Sequence, residues 1–204
     1  MKKTQIKEIL MDAINSFEDI ENYELIGLIG SMTKEGGNFG DVDLVSIGKP
    51  ETHRKFKEYL TKKFQEKGMK IVFLKTILKE SEINKGLVIL HDLYYKNKEE
   101  LLEKEWPTVT NTIIEDCLIL RGQNLIKNEH LREITKENFL GPLFNWAKGI
   151  KDNRGYDVFE GHLLNISSIF ERYGFVKELK DIKKVINSDE NWKEKLMQIK
   201  EVLS

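Results

Sequence analysis

The chain reads as an α+β protein: a mixed β-sheet flanked by helices, followed by an all-α helical domain. Three observations predict this class. Short apolar runs at residues 24–29, 42–47, 69–78 and 87–95 are bounded by polar or glycine-containing segments, the signature of buried strands. Two stretches, 6–17 and 52–67, repeat apolar residues at helical spacing. From Asn97 onward strand signals give way to helical periods alone.

The first helix carries Ile6, Ile9, Leu10, Ala13, Ile14 and Phe17 on one face. Lys7, Glu8 and Asp12 interrupt any apolar core that a signal peptide would need. The run Glu24 to Ile29 ends in Gly30-Ser31, and residues 32–40, with three glycines and no apolar period, form a loop. Val42 to Ile47 is the next strand. Its alternation puts Asp41, Asp43 and Val45 on one face and Val42 and Leu44 on the other. The helix from Thr52 to Lys67 has an apolar stripe of Phe56, Tyr59, Leu60 and Phe64, with Gly68 as its stop. Strands over 69–78 and 87–95 complete a mixed sheet backed by helices on one side. Helical periods follow at about 97–105, 109–121, 130–149, 157–173, 176–187 and 190–203, punctuated by Pro107, Gly122, Gly141-Pro142, Gly155 and Gly174. The change of character at Trp106-Pro107 predicts two domains, 1–105 and 106–204.

Lys and Arg number 33 against 34 Asp and Glu, a formal net charge of −1. That balance argues against a protein built to hold long DNA, which carries a clear basic excess. The single cysteine, Cys117, excludes an internal disulfide and Cys-rich zinc frameworks, and fits a cytoplasmic setting. No apolar run approaches the roughly 20 residues of a membrane span.

The informative constellation is Gly27-Leu28-Ile29-Gly30-Ser31, the loop over 32–40, then Asp41-Val42-Asp43-Leu44-Val45. Two carboxylates two residues apart on a strand point the same way, which suits hard-oxygen binding of Mg²⁺. Transfer of a nucleotidyl group builds negative charge on attacking, equatorial and leaving oxygens, and a pair of divalent cations is a common answer to it. Gly30 lets backbone approach phosphate closely, and Ser31 with neighbouring N–H groups can bind β- and γ-phosphates. An isolated Asp-x-Asp would be an ordinary solvated pair.

In this combination the segment resembles the DNA polymerase β-like nucleotidyltransferase superfamily. Its signature is a hydrophobic strand ending in Gly-Ser or Gly-Gly, a spacer of about this length, and an acid-x-acid pair on the next strand. The resemblance covers residues 20 to 95 in order of elements and is sharp over 27 to 45. It implies a nucleotidyltransferase-type sheet, two Mg²⁺ ions and a nucleoside triphosphate, with ATP as the expected donor. It also implies a third carboxylate on a later strand. Strand residues 70–77 contain no acid, so Asp92 in Leu90-His91-Asp92-Leu93-Tyr94 is the candidate, and alternation forbids His91 and Asp92 from sharing a face. Expected catalytic and metal-binding residues are therefore Asp41, Asp43 and Asp92; Gly30, Ser31 and the loop lysine Lys34 are the expected nucleotide contacts.

Other candidates rank below these. His53 near a helix start, and His130 and His162 in the helical half, read as surface or packing residues. Trp146, Trp192, Phe139, Phe144 and Tyr156 have core spacing, although together with Trp106 they offer a stacking surface. The function expected is Mg²⁺-dependent transfer of AMP to a hydroxyl of a small molecule, a protein or an RNA end; the alternative is a nucleotide-binding regulatory protein that has lost turnover. A small-molecule acceptor suits an α/β domain followed by a helical one, as in aminoglycoside and lincosamide adenylyltransferases. A tRNA end would need a local basic patch, for which Arg54, Lys55, Lys57, Lys62 and Lys63 are the place to look. A protein partner or oligomer remains an option for the helical half.

Overall fold

The computed structural model describes residues 3–33, 42–74 and 87–204. Within them, five strands pair in the order β3-β4-β2-β1-β5: β1 (Tyr23–Ile29), β2 (Val42–Gly48), β3 (Lys70–Leu74), β4 (Leu87–Tyr95) and β5 (Leu118–Gly122). β1 runs antiparallel to β2 and to β5, while β4 is parallel to both β2 and β3. The sheet is thus mixed, as the apolar runs predict.

Period-two alternation sends the strands' side chains into two cores. On one face Ile26, Leu28, Val42, Leu44, Val88 and Leu90 pack with α1 (Lys3–Ser16) and α2 (Pro50–Glu66). Those helices bring Ile6, Leu10 and Ala13, and Phe56, Leu60 and Phe64, all essentially inaccessible to solvent. Each large apolar side chain buried this completely contributes roughly 1.5–3 kcal/mol. On the other face Leu25, Ile29, Val45, Ile47 and Tyr95 pack with Leu101 of α3 (Lys98–Lys104) and Ile113 of α4 (Pro107–Asp116). Helices therefore cover both faces, not one.

β5 is the element that helical periodicity misassigns. The expected helix over 109–121 ends at Asp116, and the next residues pair with β1, Leu28 opposite Leu118 and Leu25 opposite Gly122. Gly122 takes a left-handed φ of +77°, and a Cβ there would overlap the Glu24 carbonyl oxygen. Because β5 belongs to the sheet, Val109–Leu131 falls in the same compact unit as the strands. Trp106–Thr108, where the sequence changes character, groups with the second unit.

A second unit contains Arg132–Ser204. Its helices are α5 (Lys136–Gly149), α6 (Asn153–Asn165), α7 (Ser167–Arg172), α8 (Val176–Ile186) and α9 (Trp192–Leu203). Their apolar stripes close one core around Phe139, Leu143, Phe159, Leu163, Phe170, Ile182 and Ile199. Capping is explicit: Asp152 accepts the Gly155 amide at 2.7 Å, and Asn191 and Glu194 form a reciprocal capping box. The expected helix over 157–173 is broken near Ile166 into α6 and α7. No helix among the described residues is long and apolar enough to cross a membrane.

Candidate functional site

The end of β1 turns sharply through a 3-10 turn, Gly30–Met32. Gly30 has a φ of +69°, a region in which a side chain is strained. A Cβ built on it would lie 2.5 Å from Oδ2 of Asp43. The glycine is required twice, for the backbone conformation and for the close approach of the carboxylate. Asp43 arrives there because β2 is antiparallel to β1 in a register that sets Ile29 opposite Asp43. The Gly-Ser turn and the second acid of Asp-x-Asp therefore meet at one place in the fold.

The turn is fastened from several sides. Met32 is fully buried, the Thr33 amide and hydroxyl donate to the Gly30 carbonyl at 3.2 and 2.9 Å, and Lys3 Nζ donates to the Ser31 carbonyl at 2.8 Å. Asp43, a hard-oxygen donor beside a glycine backbone, suits Mg²⁺. Asp41 and Lys34 lie outside the described residues. Among the described residues no group of three His, Cys, Asp or Glu is arranged to hold a metal ion.

The third expected acid is elsewhere. β4 is parallel to β2 with Asp43 opposite His91 and Leu44 opposite Asp92. Register partners share a face, so His91 stands on the face of Asp43, and Asp92 points through the other side of the sheet. The assignment of Asp92 as a catalytic and metal-binding partner of Asp43 is corrected accordingly. The physical reason is visible in its contacts: Asp92 Oδ2 lies 2.9 Å from both His53 Nε2 and Lys57 Nζ, side chains of α2.

That opposite face holds a buried polar chain. His53 and Asp92 side chains are each about 9% exposed, and His53 Nδ1 is 3.0 Å from the Tyr23 hydroxyl. An ionised Asp92 only accepts, so Nε2 of His53 carries the hydrogen; in the neutral ring Nδ1 then accepts from Tyr23. The ring stacks on Tyr94 at 3.9 Å between centroids, and Lys57 also lies over the Phe73 ring at 4.4 Å. Burial alone would raise the Asp92 carboxyl, but hydrogen bonds and charge from His53 and Lys57 outweigh it and hold the group below the ordinary carboxylate range. Burial, and then the Asp92 charge, push the Tyr23 hydroxyl upward, so it stays protonated.

His53 is thus a buried network member, not a surface residue. The signal was its position: three residues before Phe56 it continues the stripe of Phe56, Leu60 and Phe64. Lys3 escapes for a similar reason, because its spacing to Ile6 sets it on the inward side of α1.

The basic run of α2 is largely answered by acids. Arg54 pairs with Glu58, Lys55 with Asp19, Lys57 with Asp92 and Lys63 with Asp12. Such pairing weakens the field that a tRNA end would meet. In the helical unit, Trp146, Trp192 and Phe144 pack against the core, as their spacing predicts, and Tyr156 lies within it. Cys117 is pushed up to about 11 by burial, the state of an unreactive thiol. Comparisons with protein-family models, with curated proteins and with solved structures find no match to this chain.

Proposed function

We propose that the chain binds a Mg²⁺-nucleoside triphosphate, with ATP as the expected donor, at Gly30, Ser31 and Asp43, and transfers its nucleoside monophosphate to a hydroxyl acceptor. The observation that carries this reading is the contact between Gly30 and Asp43. A carboxylate held against a left-handed glycine at a strand end brings a metal ligand and a bare stretch of backbone to one point. A triphosphate needs both, because its charge is met by cations and its oxygens by N–H and O–H donors. Asp43, with Asp41, would hold the cations, whose charge would offset that of the phosphates. Ser31 donates its hydroxyl to a β- or γ-phosphate oxygen, and Gly30 lets the Asp43 carboxylate, and any cation it holds, lie close to that turn.

A second reading, binding without turnover, is favoured by the register of β4. His91 occupies the position opposite Asp43 at which a third carboxylate would be expected. An imidazole adds no negative charge to a metal pair, so nucleotide binding survives this exchange better than transfer does.

Isothermal titration with ATP, with and without Mg²⁺, followed by a pyrophosphate-release assay, tests both readings. Mg²⁺-dependent binding that Asp43→Asn weakens at least about tenfold supports the site; pyrophosphate release then separates transfer from binding alone. Equal ATP affinity in the parent and in Asp43→Asn would remove Asp43 from the site.

A further inference from the structure

One row of the sheet sets a carboxylate beside an imidazole. Ile29 of β1, Asp43 of β2 and His91 of β4 stand opposite one another across three neighbouring strands, and register partners share a face. The next partners along that face, Val45 and Leu93, are apolar and belong with Ile29 to the core that α3 and α4 close. The face therefore turns from apolar to polar where Asp43 meets the Gly30 turn. That turn lies on one neighbouring strand of Asp43, and His91 lies on the other. Both polar side chains are half-buried, neither sealed in the core nor standing fully in solvent.

From this juxtaposition we infer that Asp43 and His91 form a mixed oxygen and nitrogen pair for one divalent cation, and that His91 shifts the site from Mg²⁺ toward borderline transition ions such as Co²⁺ or Zn²⁺. The inference rests on the proposed nucleotide site in taking Asp43 as a metal ligand, and it adds the second ligand and the class of cation. Neighbouring strands lie about 4.7–4.9 Å apart, a spacing that an ion with ligand bonds of about 2.0–2.2 Å spans between two side chains on one face. Ligation coexists with the other bonds of both residues. A carboxylate accepts at two oxygens, and an imidazole that gives one nitrogen to a metal ordinarily donates its other N–H to a protein group. Mg²⁺ takes hard oxygen ligands, whereas imidazole suits the later first-row ions. The remaining coordination positions fall to water or to phosphate oxygens of the nucleotide.

The experiment is calorimetric titration of Co²⁺ and of Mg²⁺, each with and without ATP, into the full chain, His91→Gln and His91→Asp, with thermal melts of all three as a control of folding. Proton NMR of the parent with Co²⁺ tests the pair without any substitution, because a paramagnetic ion strongly shifts the ring signals of an imidazole that ligates it. The His91 ring is expected to shift. The ratio of Co²⁺ to Mg²⁺ affinity is expected to fall at least about tenfold in both variants, in His91→Asp largely through a gain in Mg²⁺. A ratio unchanged in His91→Gln overturns the inference, as does a His91 ring signal that Co²⁺ leaves in place. A parent that shows the His91-dependent ratio and binds no ATP keeps the metal pair and loses the nucleotide; a parent that binds MgATP beside an indifferent His91→Gln keeps the nucleotide site and loses the pair.

Discussion

Asp43 and Asp92 stand on adjacent strands one register position apart and leave the sheet through opposite faces. Asp43 lies against Gly30, whereas Asp92 is held 2.9 Å from both His53 and Lys57 under α2. One residue of offset between the parallel strands decides this, since side chains alternate with period two. The same offset places His91 opposite Asp43. The chain therefore keeps one acid for the candidate site and uses the other to secure a helix to the sheet.

Asp92→Asn is expected to destabilise the fold by about 2–4 kcal/mol, because it leaves the ammonium of Lys57 without its counter-charge and weakens the hydrogen bond that His53 makes to a carboxylate. The pH dependence has a definite sign. The folded carboxyl lies below its ordinary value of 3.8, so the unfolded chain binds the proton more readily. The stabilisation is complete above the unfolded value and disappears as pH falls through 3.8 and on through the lower folded value. Urea titrations between pH 3 and 7 check this: the gap between the parent and Asp92→Asn is expected to narrow only at the acid end.

Gly30→Ala is expected to strain the backbone by about 1–2 kcal/mol and to displace Asp43 as well. Gly68, with a φ of +72° and nothing within 4 Å of an added Cβ, supplies the comparison. Gly68→Ala bears the backbone cost alone. Both variants lose stability in denaturant titrations, and only Gly30→Ala loses MgATP affinity out of proportion to that loss. Equal binding by the two would mean that the Gly30–Asp43 contact has no part in the site.

Much of this arrangement was legible in the residues. The stripe of Ile6, Leu10 and Ala13 predicts α1, the strand-loop-strand order from Gly30 to Asp43 brings the two residues together, and Leu87–Tyr95 is a strand over the expected range. What escaped has physical causes. Leu118–Gly122 shows no clean alternation: Leu118 and Ile119, which point opposite ways, are 39% and 40% exposed. A strand paired along one edge needs no strict apolar face, so periodicity cannot reveal it. Which of His91 and Asp92 meets Asp43 depends on a pairing register between strands separated by α2 and β3, and local sequence carries no record of it. His53 has a visible place in the stripe of α2, but histidine is found both in cores and on surfaces, so residue type alone does not mark it as buried.

Gly122→Ala tests whether β5 is needed to complete the sheet. An added methyl would collide with the Glu24 carbonyl, the same group that accepts the Gln123 amide at 3.2 Å. Backbone cannot yield as a flexible side-chain end can, so a loss of about 2 kcal/mol or more is expected. Hydrogen exchange would show the loss concentrated in residues 118–122 and in the β1 amides that face them, with α5 to α9 unaffected.

His91→Asp tests the register of β4 directly. If the imidazole opposite Asp43 is what suppresses turnover, a carboxylate at that position restores a third hard-oxygen ligand on the correct face. Mg²⁺-dependent pyrophosphate release from ATP is then expected to rise at least about tenfold over the parent, given the 10² to 10⁴ that a well-placed acid or base contributes. Asp92→Asn, by contrast, is expected to leave any pyrophosphate release unchanged at temperatures where it stays folded, because its carboxylate is on the far side of the sheet. Release that falls with Asp92→Asn and does not respond to His91→Asp would show that the carboxylate beneath α2, and not the position beside Asp43, serves the chemistry.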